Sequence, residues 1–195
     1  MESIVQRFLS VRREETKPLL LAVFYFFCVL TALMVLRPAR DALGMERGMD
    51  SVRWLFVATA FVTLAVNPLF GWLVSKYRRI TFITATYGFF AVSLVGFYGL
   101  LSFAPQSVGR TSGMIFYVWF SVFNLFCPMV FWALMVDRFT LEQSTRMFGT
   151  IAVGGTLGAI FGLWLAGTLA IPIGTPALLL VAVFFWPWPS LWRGD

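Results

Sequence analysis

The densest polar run in this 195-residue chain is Leu36-Arg37-Pro38-Ala39-Arg40-Asp41, which follows a charge-free stretch over 18–36. On a helix that continues through Pro38, Arg37 and Arg40 lie three apart and Arg37 and Asp41 four apart, so all three share a face. Two guanidiniums held by one carboxylate leave surplus positive charge and unused fork donors, which suits a phosphate or carboxylate on a solute. The alternative is that both arginines snorkel to an interface and simply pair with Asp41. Arginine outnumbers lysine 13 to 2, which is compatible with anion recognition without being specific to it.

Two asparagines supply the other neutral polar groups within apolar stretches. Asn67 stands beside Pro68, and Asn124 is four residues before Pro128, which deprives its carbonyl of a helical partner. Polar side chains at proline breaks are where transporters expose backbone to a cavity, and also where helices hydrogen-bond one another. Gly154, Gly158 and Gly162 recur every four residues, a ridge that lets another helix approach closely. The nearby Gly154-Gly-Thr-Leu-Gly158 is no phosphate loop, because it lacks the Lys-Ser/Thr that such a loop needs and follows no strand. Two short charged connections remain, 75–79 with Lys76, Arg78 and Arg79, and 137–146 with Asp137, Arg138, Glu142 and Arg146. Glu142 and Arg146 are spaced as on one helix face. Both connections serve as topology determinants or as charge pairs that gate one conformation.

The elements that must position these groups follow from composition. Hydrophobic residues make up 59% and charged residues 12%, against about a quarter charged in soluble domains. The charges are segregated, with none in 18–36, 54–75, 80–109, 111–136 or 147–192. A crossing helix needs about 20 apolar residues. The last stretch, interrupted at Ile171-Pro-Ile-Gly-Thr-Pro176, divides in two, and the chain reads as six spans, about 18–36, 54–74, 80–103, 114–136, 149–170 and 176–191. Residues 1–17 carry Ile4, Val5, Phe8 and Leu9 among basic residues, an amphipathic interfacial segment, and 192–195 form a tail. Span six is the weak one, since Pro187 and Pro189 obstruct a helix there.

There is no histidine, which excludes Ser-His and Cys-His hydrolases and the usual zinc sites. Cys28 and Cys127 each lie in an apolar stretch, so no disulfide framework, metal site or cofactor is expected. The net charge of +6 is read as a topology signal facing anionic lipid rather than as a nucleic-acid surface. With the N-terminus cytoplasmic, Lys and Arg outside the spans divide ten to five in favour of that side, so both termini are expected to be cytoplasmic. The four arginines of 37–53 defy the rule, which marks them for neutralisation by Asp41, Glu46 and Asp50 or for a purpose of their own.

Taken together, these residues resemble the N-terminal half of a major facilitator superfamily transporter. Gly71, Leu73, Lys76 and Arg79 match that superfamily's signature after helix two, while Ser75 and Arg78 stand where it has aspartate and glycine. More narrowly, Leu36-Arg37-x-x-Arg40-Asp41 resembles the Leu-Arg-x-x-Lys-Asp motif of the nucleotide (ATP/ADP) translocases. Phe131-Trp132, then Arg146 and Phe148-Gly149, match that family's pattern around helices four and five. The resemblance implies a 3+3 inverted repeat, half of a twelve-helix fold, in a plasma (bacterial inner) membrane. It places Arg40 where the family has a substrate-important lysine. The family's acidic residue early in helix four has no counterpart, because 115–127 contain no carboxylate.

The resulting expectation is an all-α integral membrane protein, not an enzyme, that moves a small anion by alternating access, nucleotide exchange being one form of this. Arg37 and Arg40 would bind the solute, Asp41 would orient them, and Asn67 and Asn124 would line the cavity. Besides solute and lipid, its partner would be a second six-helix half or a second copy, because the length is about half of a twelve-helix transporter. The alternative is a membrane scaffold or accessory subunit that transports nothing.

Overall fold

The computed structural model describes residues 15–45, 49–76, 79–103 and 106–186. These residues form six helices in order, α1 (Thr16–Met45), α2 (Met49–Lys76), α3 (Arg79–Phe103), α4 (Gln106–Arg138), α5 (Leu141–Ile173) and α6 (Ala177–Phe184), with no strand among them. Four segments are long and apolar enough to cross a membrane, Thr16–Met45, Thr81–Phe103, Thr111–Arg138 and Leu141–Ile173, and Val52–Pro68 is a shorter apolar one. The protein is therefore all-helical, with the character of a membrane protein. The amphipathic segment expected before Lys17 lies almost wholly outside the described residues, as does the tail.

Several helices outrun the apolar stretches from which they were expected. α1 continues nine residues past Leu36 and passes through Pro38, so Arg37, Arg40 and Asp41 sit on helix and not in a loop. α2 and α4 likewise contain Pro68 and Pro128. A proline inside a helix removes one backbone bond, and packing against neighbouring helices offsets the loss.

Span six departs from expectation in the other direction. α6 has eight residues, about 12 Å of rise against a hydrocarbon core of about 30 Å. It starts after Gly174, whose φ of 80° only glycine adopts readily. At its end, Pro187 disfavours helical geometry for Trp186. The residues expected to complete this span, 187–191, lie outside the described ones.

α1 is central, packed against α2, α4, α5 and α6. α4 also carries α2 and α3, α3 and α6 pack together, α5 touches α6, and α2 meets α3 only slightly. The α1–α5 interface is the most extensive, and the glycine ridge explains why. A Cβ on Gly154 would lie 2.9 Å from the Val23 carbonyl oxygen, and one on Gly162 would lie 2.6 Å from that of Thr31. A Cβ on Gly158 would meet the backbone of Phe27. Steps of four on α5 thus meet steps of four on α1, and the Thr31 hydroxyl donates to the Gly158 carbonyl at 3.1 Å. Aromatic rings fill the rest, as where Phe26 stacks on Phe131 at 4.3 Å and Phe90 meets Phe123 at 4.1 Å. The Trp186 indole donates to the Tyr87 carbonyl at 3.0 Å, tying the end of α6 to α3.

Candidate functional site

Arg40 projects from α1 toward α4. Its Nε and Nη2 donate to Asp41 Oδ1 at 2.8 and 2.6 Å, and its guanidinium carbon lies 4.8 Å from the Tyr117 ring centroid and 5.8 Å from that of Phe120. One carboxylate oxygen and two ring faces therefore fix the cation, leaving it partly buried. Tyr117 can lie there because residue 44 is glycine, where a Cβ would come within 3.0 Å of the ring Cε2. Asp41 engages Arg40 and not Arg37. This corrects the expected arrangement, in which one carboxylate holds both arginines. Arg37 is exposed one turn earlier on α1 and makes no ion pair among the described residues.

The remaining expected solute contacts are Asn67 and Asn124, both exposed on the bundle surface. Helical periodicity relates them to Arg40. Asn124 is seven residues from Tyr117, two turns or about 10 Å along the same face of α4, with Ser121 between them. Phe56 of α2 packs edge-on against Tyr117 at 6.2 Å, and Asn67 lies eleven residues on, three turns along that face of α2. Periodicity thus puts Ser121 and Asn124 on the Tyr117 face of α4 and Asn67 on the Phe56 face of α2, beside the part of α1 that carries Arg37 and Arg40. Tyr117, Ser121 and Gly44 were missed by reasoning from motifs, although the seven-residue spacing of Tyr117 and Asn124 is readable in the sequence. The Ser121 hydroxyl returns to the Tyr117 carbonyl at 2.8 Å.

The charged connections occupy the end of the bundle where α1 and α5 begin. Helices α4 and α5 are separated only by Phe139 and Thr140, so Glu142 and Arg146 belong to the first turns of α5 and not to a separate short helix. They pair at 3.7 Å. Thr140 caps α5 reciprocally with Gln143, whose side-chain oxygen accepts from the Thr140 N–H at 3.0 Å. The Gln143 amide also donates to Glu15 Oε1 at 2.9 Å, and Arg146 reaches the same oxygen at 3.6 Å. Glu15 is buried and ties the start of α1 to the start of α5, a role no motif revealed. Asp137 and Arg138 end α4 and are exposed. Lys76 lies 4.5 Å over the Trp72 ring. Arg79 opens α3, and Arg78 lies outside the described residues. Gly154, Gly158 and Gly162 are buried in the α1–α5 contact, distant in role from these polar groups.

Glu15→Ala is expected to lower the thermal midpoint of the detergent-solubilised chain, by about 1–3 kcal/mol of stability, because it strands the Gln143 amide and one side of Arg146. Glu15→Gln keeps an acceptor for Gln143 and should lose less. Equal midpoints for Glu15→Ala and the unaltered chain would contradict the tie.

Comparisons with known proteins give no family by which to interpret this geometry. No protein-family model, no curated protein and no solved structure matches the chain significantly. Among the described residues no group of three or more His, Cys, Asp or Glu side chains is arranged to hold a metal ion. The site is therefore understood through its own chemistry, which is a clamped cation at Arg40, a second cation at Arg37 and neutral polar groups on the neighbouring helices α2 and α4.

Proposed function

We propose that the chain is a secondary membrane transporter, or one half of one, and that it moves a small anionic solute along the path between α1, α2 and α4. The observation that carries this reading is the charge imbalance at Arg37, Arg40 and Asp41. Within an apolar bundle, a second cation without a carboxylate is costly unless water or an anion reaches it. The Arg40 clamp leaves Nη1 outside its bonds to Asp41, and Arg37 contributes a whole guanidinium. A phosphate or carboxylate would accept from both.

The order of packing supports a 3+3 inverted repeat. Exchanging α1 with α4, α2 with α5 and α3 with α6 turns α1–α5 into α4–α2, α1–α6 into α4–α3, and α5–α6 into α2–α3. It returns α1–α4 and α3–α6 to themselves, and each of these pairs is packed in the structure. The pairs differ in extent, α1–α5 being far larger than its counterpart α2–α4, and α1–α2 has no comparable counterpart. Such repeats place the solute at the repeat interface, where α1 and α4 meet. Transport would proceed by alternating access, driven by differing solute affinity in two states, with no covalent step. The resemblance to nucleotide translocases makes nucleotide exchange one form of this activity, with both termini cytoplasmic in a plasma membrane.

The test is uptake of labelled organic phosphates and carboxylates into proteoliposomes bearing the chain, against protein-free liposomes. Uptake of an anion above the protein-free rate supports a transporter. Failure across both solute classes favours a scaffold or accessory subunit.

A further inference from the structure

On the side of α2 and α4 away from the polar path lies a groove of about 1000 Å³, walled by α2, α3 and α4. Trp54, Phe82, Phe89, Phe90, Trp119 and Phe126 supply its rings, and Thr86 is the one polar residue lining it. It exists because α2 and α3, although consecutive, barely touch, so α2 leans on α4 and leaves the space behind it open. Helical periodicity separates the two features. On α4 the groove takes Met114, Ile115, Val118, Trp119, Val122 and Phe126, while Tyr117 and Asn124 lie on the far side and Ser121 borders Met114.

We propose that this groove binds one acyl chain of an anionic phospholipid, with the headgroup phosphate on Arg53. Along α2 the lining runs from Trp54 to Val66, twelve residues or about 18 Å of helix, close to the roughly 15 Å depth of one leaflet's hydrocarbon. Trp54, at the mouth, is 73% exposed, as suits an indole at a membrane interface. Arg53 beside it is exposed, so its guanidinium is open to an anionic headgroup at the membrane interface. A second protein segment would need to bury a charge or a polar group against Arg53 in the same way. Apart from Thr86 and the indoles of Trp54 and Trp119, the walls offer such a segment no hydrogen-bonding partner. The groove is independent of the transport reading, because it lies behind the helices that form the path.

Native mass spectrometry of the full chain, extracted in mild detergent from membranes of mixed phosphatidylglycerol and phosphatidylethanolamine, tests this. One retained lipid, enriched in phosphatidylglycerol, is expected. Ala58→Phe on α2 and Ala85→Phe on α3 fill the groove from opposite walls and should each lose the adduct, with helicity by circular dichroism showing that they fold. Arg53→Gln should keep an adduct but lose the preference for phosphatidylglycerol. The proposal is overturned by no adduct on the unaltered chain, by an adduct undiminished in the folded filling variants, or by an unchanged preference in Arg53→Gln. It is also overturned by a dimer or protein adduct that the filling variants abolish, which would assign the groove to a polypeptide.

Discussion

Gly158→Ala is expected to destabilise the bundle by about 1–3 kcal/mol, and Gly158→Val by more, because there is no room for any side chain between α5 and α1. A Cβ at that position would lie 2.8 Å from the Phe27 Cα as well as against its carbonyl oxygen. Both are backbone atoms, so relief requires moving a whole helix and not turning a side chain. Separation of the helices would also lengthen the 3.1 Å bond from Thr31 to the Gly158 carbonyl, leaving a buried hydroxyl to find another partner. Gly167, nine residues on, supplies the control, since a Cβ there meets nothing within 4 Å. Gly167→Ala should be neutral or slightly stabilising through the higher helix propensity of alanine. Unfolding of the purified chain in a denaturing detergent reads both. Equal midpoints for the two alanine variants would contradict the packing described for α1 and α5.

Arg40→Gln is expected to reduce anion uptake by a factor on the order of 10 to 100 while leaving membrane insertion intact, since one charge-assisted contact is worth about 1.5–3 kcal/mol. Arg40→Lys should retain part of the activity. It keeps the charge but loses the planar fork that reaches Asp41 and lies over Tyr117. Arg37→Gln should raise the solute concentration needed for half-maximal uptake without abolishing it, because Arg40 remains clamped. If Arg40→Gln transports as fast as the unaltered chain, Arg40 does not bind the solute. Uptake by empty and loaded proteoliposomes, normalised to inserted protein, measures all three variants.

Features governed by local composition were readable before the structure. Charge-free stretches mark the four helices that are long and apolar enough to cross a membrane, and Gly154, Gly158 and Gly162 mark a close helix contact because a Cβ there would meet the facing backbone. Hydropathy ends the first span at Leu36 because it detects where the apolar core stops and not where the helix does. The helix itself continues as long as its backbone bonds are satisfied, through Pro38 to Met45. In span six the helix ends at Phe184, three residues before Pro187, a stop that apolar composition alone does not mark. The tertiary partners were hidden for a different reason. Asp41 could reach Arg37 at four residues or Arg40 at one, and the ring of Tyr117 from α4 favours the second by holding Arg40 in place. Glu15 gave no signal at all, because its partners Gln143 and Arg146 are more than a hundred residues away.

The central claim is that the face bearing Asn124 borders an aqueous path and not lipid. Labelling of Asn124→Cys in proteoliposomes by a membrane-impermeant maleimide tests it most directly. The native thiols, Cys28 and Cys127, are both buried and should be silent. Asn124→Cys is expected to label from at least one side of the bilayer, and saturating anionic solute should change the rate. A thiol that stays unlabelled from both sides, yet reacts once the chain is unfolded in detergent, would place Asn124 against lipid and contradict the transport path.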